Sequence, residues 1–161
     1  MSLAIIRPIL KIDNPAIAKV IRNVLLDLGV PKVGTAYADT SLDSMYENYA
    51  IDGATYFVVE LAGKIIGGAG IAQLQNFEGA VCELQKMYFL PEARGLGLGS
   101  KMMKRCLETA KEYGYHSCYI ETMPYMEAAQ ELYKRVGFEY IDGPMGDTGH
   151  YACPVHMLKK L

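Results

Sequence analysis

The chain has 161 residues, of which 51% are hydrophobic and 21% are charged, and its formal net charge is −2 at pH 7. This length and composition predict a single domain over residues 1–161 with a sizeable core. The small negative charge argues against nucleic acid or an anionic membrane as a partner. The chain has no apolar run of the roughly 18 residues that a membrane-spanning helix needs.

The first third of the chain predicts one strand and two helices. A short apolar strand over Leu3–Arg7 precedes a helix that Asn14 caps and Gly29 ends. A second, shorter helix ends at Tyr49. The residues before the first strand lack the charged and apolar regions of a signal peptide, so we expect a cytoplasmic protein.

Three strands and a helical crossover follow. The strands Thr55–Leu61, Lys64–Gln73 and Ala80–Phe89 read as an antiparallel meander. A helix over Ser100–Tyr113 then leads to a strand over Tyr115–Glu121. This strand must run parallel to the third strand of the meander because a helix joins the two.

The last elements are a helix over Glu127–Val136 and two strands over Glu139–Ile141 and Tyr151–Leu158. The complete order is β-α-α-β-β-β-α-β-α-β-β. It predicts an α/β fold with a mixed sheet and helices on both faces.

Cysteine and histidine residues are scattered. The cysteines are far apart inside apolar segments, without a C-x-x-C pair, which favours buried free thiols and gives no sign of a metal site. They are Cys82, Cys106, Cys118 and Cys153.

The stretch AVCELQKMYFLPEARGLGLGSKMM, which begins at Ala80, is the most informative part of the sequence. Its glycine-rich loop offers backbone N–H groups and leads into a helix N-terminus, where unpaired donors and the helix dipole favour a phosphate. Arg94 adds a cation at the start of the loop. The predicted pyrophosphate-binding residues are Arg94, Gly95, Leu96, Gly97, Leu98, Gly99 and Ser100.

Two other phosphate-binding motifs do not fit this loop. A P-loop requires Gly-Lys-Ser/Thr, and that triplet does not occur. The dinucleotide fingerprint G-x-G-x-x-G fails at Ser100 when it starts at Gly95, and at Met102 when it starts at Gly97. Glu121 lies at the right distance for a ribose-binding carboxylate, but too few residues follow it for the remaining units of that fold. A nucleotide-dependent oxidoreductase is therefore disfavoured.

The pattern R/Q-x-x-G-x-G/A does fit, through Arg94, Gly97 and Gly99. With it, ELQKMYFLPEARGLGLGSKMM resembles motif A, and AAQELYKRVGFEYI resembles motif B, of the GNAT superfamily of acetyl-CoA-dependent N-acetyltransferases. The resemblance is close from Ala80 to Ile141. It implies a GNAT fold and acetyl transfer from acetyl-CoA to a primary amine, with no metal.

The resemblance also implies how acetyl-CoA is held. The pantetheine arm would pair with the backbone of Met87, Tyr88 and Phe89 as a substitute strand. A backbone N–H around Met87 or Tyr88 would polarise the thioester carbonyl. Terminal strands of this fold often pair across subunits, so the resemblance is compatible with a homodimer.

Glu83 is the candidate general base. It lies on the central strand several residues before the glycine loop and matches the catalytic glutamate of those GNAT enzymes that carry a base on this strand. Burial near Val81 and Leu84 would raise its pKa. Three alternatives stay open: Glu83 is a solvent-facing carboxylate, Glu121 at the end of the neighbouring strand is the base, or a water chain takes the proton.

Tyr133 is the candidate general acid. It matches the family tyrosine that protonates or hydrogen-bonds the departing sulfur of CoA. A phenol, with a pKa near 10, stays protonated at pH 7 and can donate. A packing role against Leu132 and Phe138 is the alternative.

The acceptor is less defined. Acidic and tyrosine side chains around the second helix would suit a small cationic amine, or they simply form a half-exposed helix face; they are Asp39, Asp43, Tyr46 and Glu47. A protein N-terminus is another acceptor to consider. A different class of function is a non-catalytic acyl-CoA-binding module, in which Glu83 would be structural.

Overall fold

A computed structural model describes residues 3–33, 36–149 and 153–161. The strands of these residues are Ile5–Pro8 (β1), Thr55–Leu61 (β2), Lys64–Gln73 (β3), Val81–Phe89 (β4), Ser117–Thr122 (β5), Glu139–Tyr140 (β6) and Val155–Lys160 (β7). Their α-helices are Asn14–Asp27 (α1), Met45–Tyr49 (α2), Leu98–Glu112 (α3) and Glu127–Arg135 (α4).

The strands form one mixed sheet in the order β1-β2-β3-β4-β5-β7-β6. Neighbouring strands are antiparallel except β4 and β5, which run parallel because α3 connects them. The predicted order of elements and the mixed sheet are confirmed.

Helices cover both faces of the sheet, as predicted. Because side chains alternate along a strand, Tyr56 and Val58 of β2 point to one face and Phe57 and Val59 point to the other. The first pair packs in a core with α1 and α2. The second pair packs in a core with α3 and Tyr133 of α4. The central strands are therefore buried on both sides.

Some element boundaries differ from the predicted ones. The helix α3 begins at Leu98 rather than Ser100, because Gly97 takes a left-handed conformation with φ of 68° and serves as the N-cap. The last strand is Val155–Lys160 rather than Tyr151–Leu158, since its pairing with β5 continues to Lys160. The first predicted residues of that strand, 151 and 152, lie outside the described residues.

A buried ion pair ties β1 to the start of α1. Arg7 donates from both terminal nitrogens to the carboxylate of Asp13, over 2.8 and 3.0 Å. The backbone N–H of Leu10 donates to the same carboxylate over 2.7 Å. The side chain of Asp13 is only 6% exposed. The hydrogen bonds from Arg7 lower the pKa of Asp13 below its usual value.

Candidate active site

The sheet opens where β4 and β5 separate. Their parallel pairing runs from Val81↔Ser117 to Glu83↔Tyr119, after which β5 continues beside β7. A cavity of about 380 Å³, the β4–β5 cavity, fills the space between the diverging strands and α4. Residues 83–89, 120–123, 125–129 and 132–133 contribute to its walls. An extended ligand can therefore lie in the place that a neighbouring strand would take.

The backbone of β4 is directed at this cavity. Leu90 donates from its N–H to the carbonyl of Ile66 on the β3 side, over 2.8 Å. Alternate residues of a strand direct their N–H and C=O groups to opposite neighbours, which turns those of Met87 and Phe89 toward the cavity. Both side chains also line it, together with that of Tyr88. The edge of β4 thus offers the hydrogen bonds of a missing strand.

The glycine loop closes one end of the cavity. Arg94 and Gly99 line it, and the N–H groups in the first turn of α3 have no partner within the helix. Gly97 is exposed, with open space where a side chain would begin. The loop can thus approach an anion closely. Of the other predicted binding residues, Gly95 and Leu96 are exposed before α3 and Ser100 is exposed in its first turn, whereas the side chain of Leu98 is buried.

Tyr133 lies in the wall of the cavity. Its ring is buried and packs against Phe138, with the two ring centres 6.0 Å apart. Burial raises the pKa of Tyr133 well above its usual value. The phenol therefore keeps its proton at neutral pH and can donate a hydrogen bond to a group in the cavity.

Glu83 is buried at the point where β4 and β5 part, with 4% of its surface exposed. Gln85 donates from Nε2 to Oε1 of Glu83 over 2.6 Å. The hydroxyl of Tyr49 in turn donates to Oε1 of Gln85 over 2.5 Å. Burial, followed by the nearby charge of Glu83, raises the pKa of Tyr49. The predicted solvent-facing alternative for Glu83 is wrong, because the end of α2 covers this face of β4.

A bulge follows Gln85 in β4. Lys86 has a left-handed φ of 50°, and the pairing with β3 shifts there. The hydroxyl of Tyr56 donates to the backbone carbonyl of Lys86 over 2.8 Å. The ring of Tyr56 crosses β3 over Gly68 and Gly70, where any Cβ would lie within 2.6 Å of a ring atom. These glycines allow a residue of β2 to hold the bulge of β4.

A second cavity, of about 910 Å³, lies on the α2 side of β4, and we call it the α2 cavity. Its walls include residues 39–41, 48–49, 51–52 and 72–78, with Thr148. Of the residues that the structure describes, Glu83, Gln85 and Lys86 line both cavities. The two cavities therefore meet at the middle of β4.

The predicted acidic wall of the acceptor pocket is only partly present. Asp39 lines the α2 cavity. Asp43 instead pairs with Arg22 of α1, over 2.6 and 3.1 Å, and Glu47 accepts a hydrogen bond from Asn14 over 2.6 Å. Tyr46 is exposed and is not part of the wall. The expectation fails for these three residues because Arg22 and Asn14 of α1 hold Asp43 and Glu47, and Tyr46 is exposed.

Glu121 lies in the wall of the β4–β5 cavity, with both carboxylate oxygens engaged. Oε1 accepts a hydrogen bond from the hydroxyl of Tyr119 over 2.8 Å, and Oε2 accepts one from Thr148 over 2.6 Å. Tyr119 also accepts from the backbone N–H of Met145 over 3.2 Å. These contacts fasten the β6–β7 connection to β5.

The thiols are free, as predicted. Cys82, Cys106 and Cys118 are buried, whereas Cys153 is half-buried in the wall of the β4–β5 cavity. Burial, followed by nearby carboxylates, raises the pKa of Cys153 to about 11.

Within the described part of the chain, no cluster of three histidine, cysteine or acidic side chains could hold a metal ion. No helix there is both long and apolar enough to cross a membrane.

Comparisons with known proteins agree with this geometry. Residues 25–138 match the model of the acetyltransferase (GNAT) family. The chain is 47% identical over 150 residues to the uncharacterized N-acetyltransferase YjgM of Escherichia coli strain K12, covering 92% of this chain and 90% of that protein.

Solved structures share the fold. An acetyltransferase of the GNAT family from Staphylococcus aureus Mu50 superposes with a TM-score of 0.88 at 20% identity, over 99% of each chain. The structure of yncA from Salmonella typhimurium, solved with its cofactor acetyl-CoA, superposes with a TM-score of 0.77 at 23% identity, over 98% of this chain and 94% of that one. The chain belongs to the acetyltransferase (GNAT) family and is an acyltransferase that uses acetyl-CoA.

Proposed function

We propose that this enzyme acetylates a primary amine of a small molecule by direct attack on acetyl-CoA, with Glu83 as general base and Tyr133 as general acid. The observation that carries the proposal is the meeting of two cavities at Glu83. One cavity has the features of a CoA groove, and the other is large enough for an acceptor. A non-catalytic acyl-CoA-binding module would have no use for the second cavity.

The glycine loop and β4 would hold the cosubstrate. The N–H groups from Arg94 to Ser100 suit the pyrophosphate, and the Arg94 guanidinium adds a charge-assisted contact. The backbone of Met87–Phe89 suits the amide groups of the pantetheine arm. When bound, acetyl-CoA supplies the thioester carbonyl that the amine attacks. The backbone N–H of Met87, next to the bulge at Lys86, would stabilise the negative charge that develops on that carbonyl oxygen.

The acceptor amine must lose a proton. An alkylammonium with a pKa of about 10.4 is well under 1% deprotonated at pH 7. Glu83 lines both cavities, so its carboxylate can take that proton directly or through one water. Glu121 is less suited to this role, because it lines the β4–β5 cavity but not the α2 cavity.

The leaving sulfur must gain a proton. As the new C–N bond forms and the C–S bond breaks, Tyr133 donates its phenolic proton to the CoA thiolate. The products are the acetylated amine and free CoA. Tyr133 then recovers a proton from solvent, and Glu83 releases the one it took from the amine.

The test is thiol release from acetyl-CoA in the presence of small amines, amino acids, polyamines and short peptides. We expect thiol release that depends on one class of small amine and yields its N-acetyl product. Tight binding of acetyl-CoA without turnover across the panel, or turnover with peptides alone, would contradict the proposal. A homodimer and a cytoplasmic location stay predictions.

A further inference from the structure

The ammonium of Lys86 is enclosed where the two cavities meet. Its side chain is only 8% exposed, yet it lines both cavities. Its backbone has a left-handed φ of 50°, a conformation that lysine rarely adopts. The hydroxyl of Tyr56 fixes this conformation through its bond to the Lys86 carbonyl. A strained backbone position thus holds this cation at the junction of the two cavities.

A buried ammonium needs negative charge around it. Oδ2 of Asp39 lies 3.4 Å from Nζ of Lys86, longer than the roughly 2.7–2.9 Å of a close charge-assisted hydrogen bond. An ammonium carries three donors, so one loose contact with Asp39 leaves Lys86 the capacity to bind a further anionic oxygen. A ligand in either cavity can supply such an oxygen.

We propose that the acceptor carries a carboxylate next to its amine, as an α-amino acid does, and that Lys86 binds this carboxylate while the amine faces Glu83. The inference rests on the proposed function and names its substrate class. Glu83 and Lys86 lie three positions apart on β4, so at most about 10 Å separates their Cα atoms. Their long side chains can contact the two charged groups of one compact zwitterion.

The charges of the α2 cavity favour this class over a polyamine. Of the carboxylates that line the cavity, Asp39 is engaged with Lys86 and Glu83 is the proposed base. Asp52 and Glu78 are exposed, so water and salt screen their attraction for a cation. Lys86 is the only cation among the described residues of this wall, and its ammonium is enclosed, with part of its charge offset by Asp39 at 3.4 Å. A polyamine would bring a like charge to it, whereas a carboxylate supplies the opposite charge.

The experiment compares matched acceptors. Each L-amino acid is assayed by thiol release beside the amine that lacks only the α-carboxylate, with wild type and with Lys86→Met, Lys86→Arg, and the double variant Lys86→Met/Asp39→Asn. Binding of acetyl-CoA is followed by calorimetry, and folding is followed by thermal unfolding. The double variant is the matched control, because it removes the carboxylate that Lys86→Met would leave without its cation.

Wild type should prefer an amino acid over its decarboxylated partner by about 30-fold in kcat/KM, the value of one charged hydrogen-bond contact. Lys86→Met should lose that preference mainly through KM, and the double variant should not restore it. Lys86→Arg should keep part of it. The affinity for acetyl-CoA should stay within about threefold in all of these variants.

Two results overturn the inference and leave the proposed function standing. One is a wild-type enzyme that acetylates the decarboxylated amines as fast as the amino acids. This result decides the question even if Lys86→Met does not fold. The other is a carboxylate preference that persists in folded Lys86→Met. Absence of thiol release with every amine would instead overturn the proposed function, and the inference would fall with it.

Discussion

Gln85 donates from its Nε2 to Oε1 of Glu83 over 2.6 Å. The same amide accepts a hydrogen bond from Tyr49 at its oxygen, which fixes the orientation of the amide. Tyr49 is the last residue of α2, so this chain of contacts connects a helix on the acceptor side to the candidate base. The carboxylate of Glu83 is therefore held in place between the two cavities.

Replacing Gln85 by leucine should weaken catalysis without removing the base. The carboxylate form of Glu83 loses a donor in this variant, so protonation becomes easier and the acidic limb of the kcat/KM profile should move to higher pH. We expect a loss of about tenfold at pH 7 from misorientation of the base. Steady-state rates between pH 5.5 and 9.5 measure both effects. An acidic limb that stays in place would mean that Gln85 does not act on the titrating group.

Tyr133→Phe should lower kcat by about 100-fold, the usual contribution of a general acid. The ring is kept, so the contact with Phe138 and the affinity for acetyl-CoA should change little. Burial raises the pKa of Tyr133, so the phenol stays protonated through the assay range and wild type should show no alkaline limb from it below pH 10. Turnover kinetics and thermal unfolding measure these effects together. Unchanged kcat with a lower melting temperature would indicate a packing residue.

Gly97→Ala should weaken both the fold and the binding of acetyl-CoA. Alanine at a φ of 68° costs about 1 kcal/mol, and its methyl group would stand where the loop must approach the phosphates. Gly114→Ala is the matched control: its φ is 88°, it also has open space around it, and it lies at the other end of α3. We expect similar losses of unfolding free energy in both variants, with acetyl-CoA affinity about tenfold weaker for Gly97→Ala alone. Equal affinities would contradict a phosphate role for the loop.

Asp13→Asn should destabilise the protein at neutral pH by about 2 kcal/mol, because the Arg7 guanidinium, which is 23% exposed, loses its charged acceptor. Arg7 lowers the pKa of Asp13 in the folded state, so the stabilisation is fully present above the unfolded value near 3.9 and is lost as pH falls through the folded value. The difference between wild type and variant should therefore shrink below about pH 4. Urea unfolding at several pH values, with exposed Asp142→Asn as the control, measures it.

Features that depend on neighbouring residues could be predicted from the sequence. The glycine loop and its helix follow one another in the chain, so a loop that leads into a helix N-terminus could be predicted, although the helix begins at Leu98 and not at the predicted Ser100. The crossover after the loop required β4 and β5 to be parallel. The order of the elements followed from the same kind of local pattern.

Features that depend on distant residues could not be predicted. The left-handed backbone of Lys86 is held by the hydroxyl of Tyr56, whose ring crosses Gly68 and Gly70. No residue spacing in the sequence predicts this contact. Tyr49 of α2 contacts Gln85 of β4, 36 positions later in the chain, where the two cavities meet. The sequence predicts Asp43 in the acceptor wall, whereas in the structure it pairs with Arg22. This pairing depends on how α1 packs, which no local pattern indicates.

The most direct test of the central claim is the pH dependence of Glu83→Gln, assayed by thiol release with the best amine from the panel. If Glu83 takes the proton from the amine, kcat should fall by about 100-fold at pH 7 and recover as rising pH deprotonates the amine in solution. Glu121→Gln, as the control, should keep the wild-type profile. A Glu83→Gln enzyme whose rate and pH profile match those of wild type would show that the proton leaves by another route.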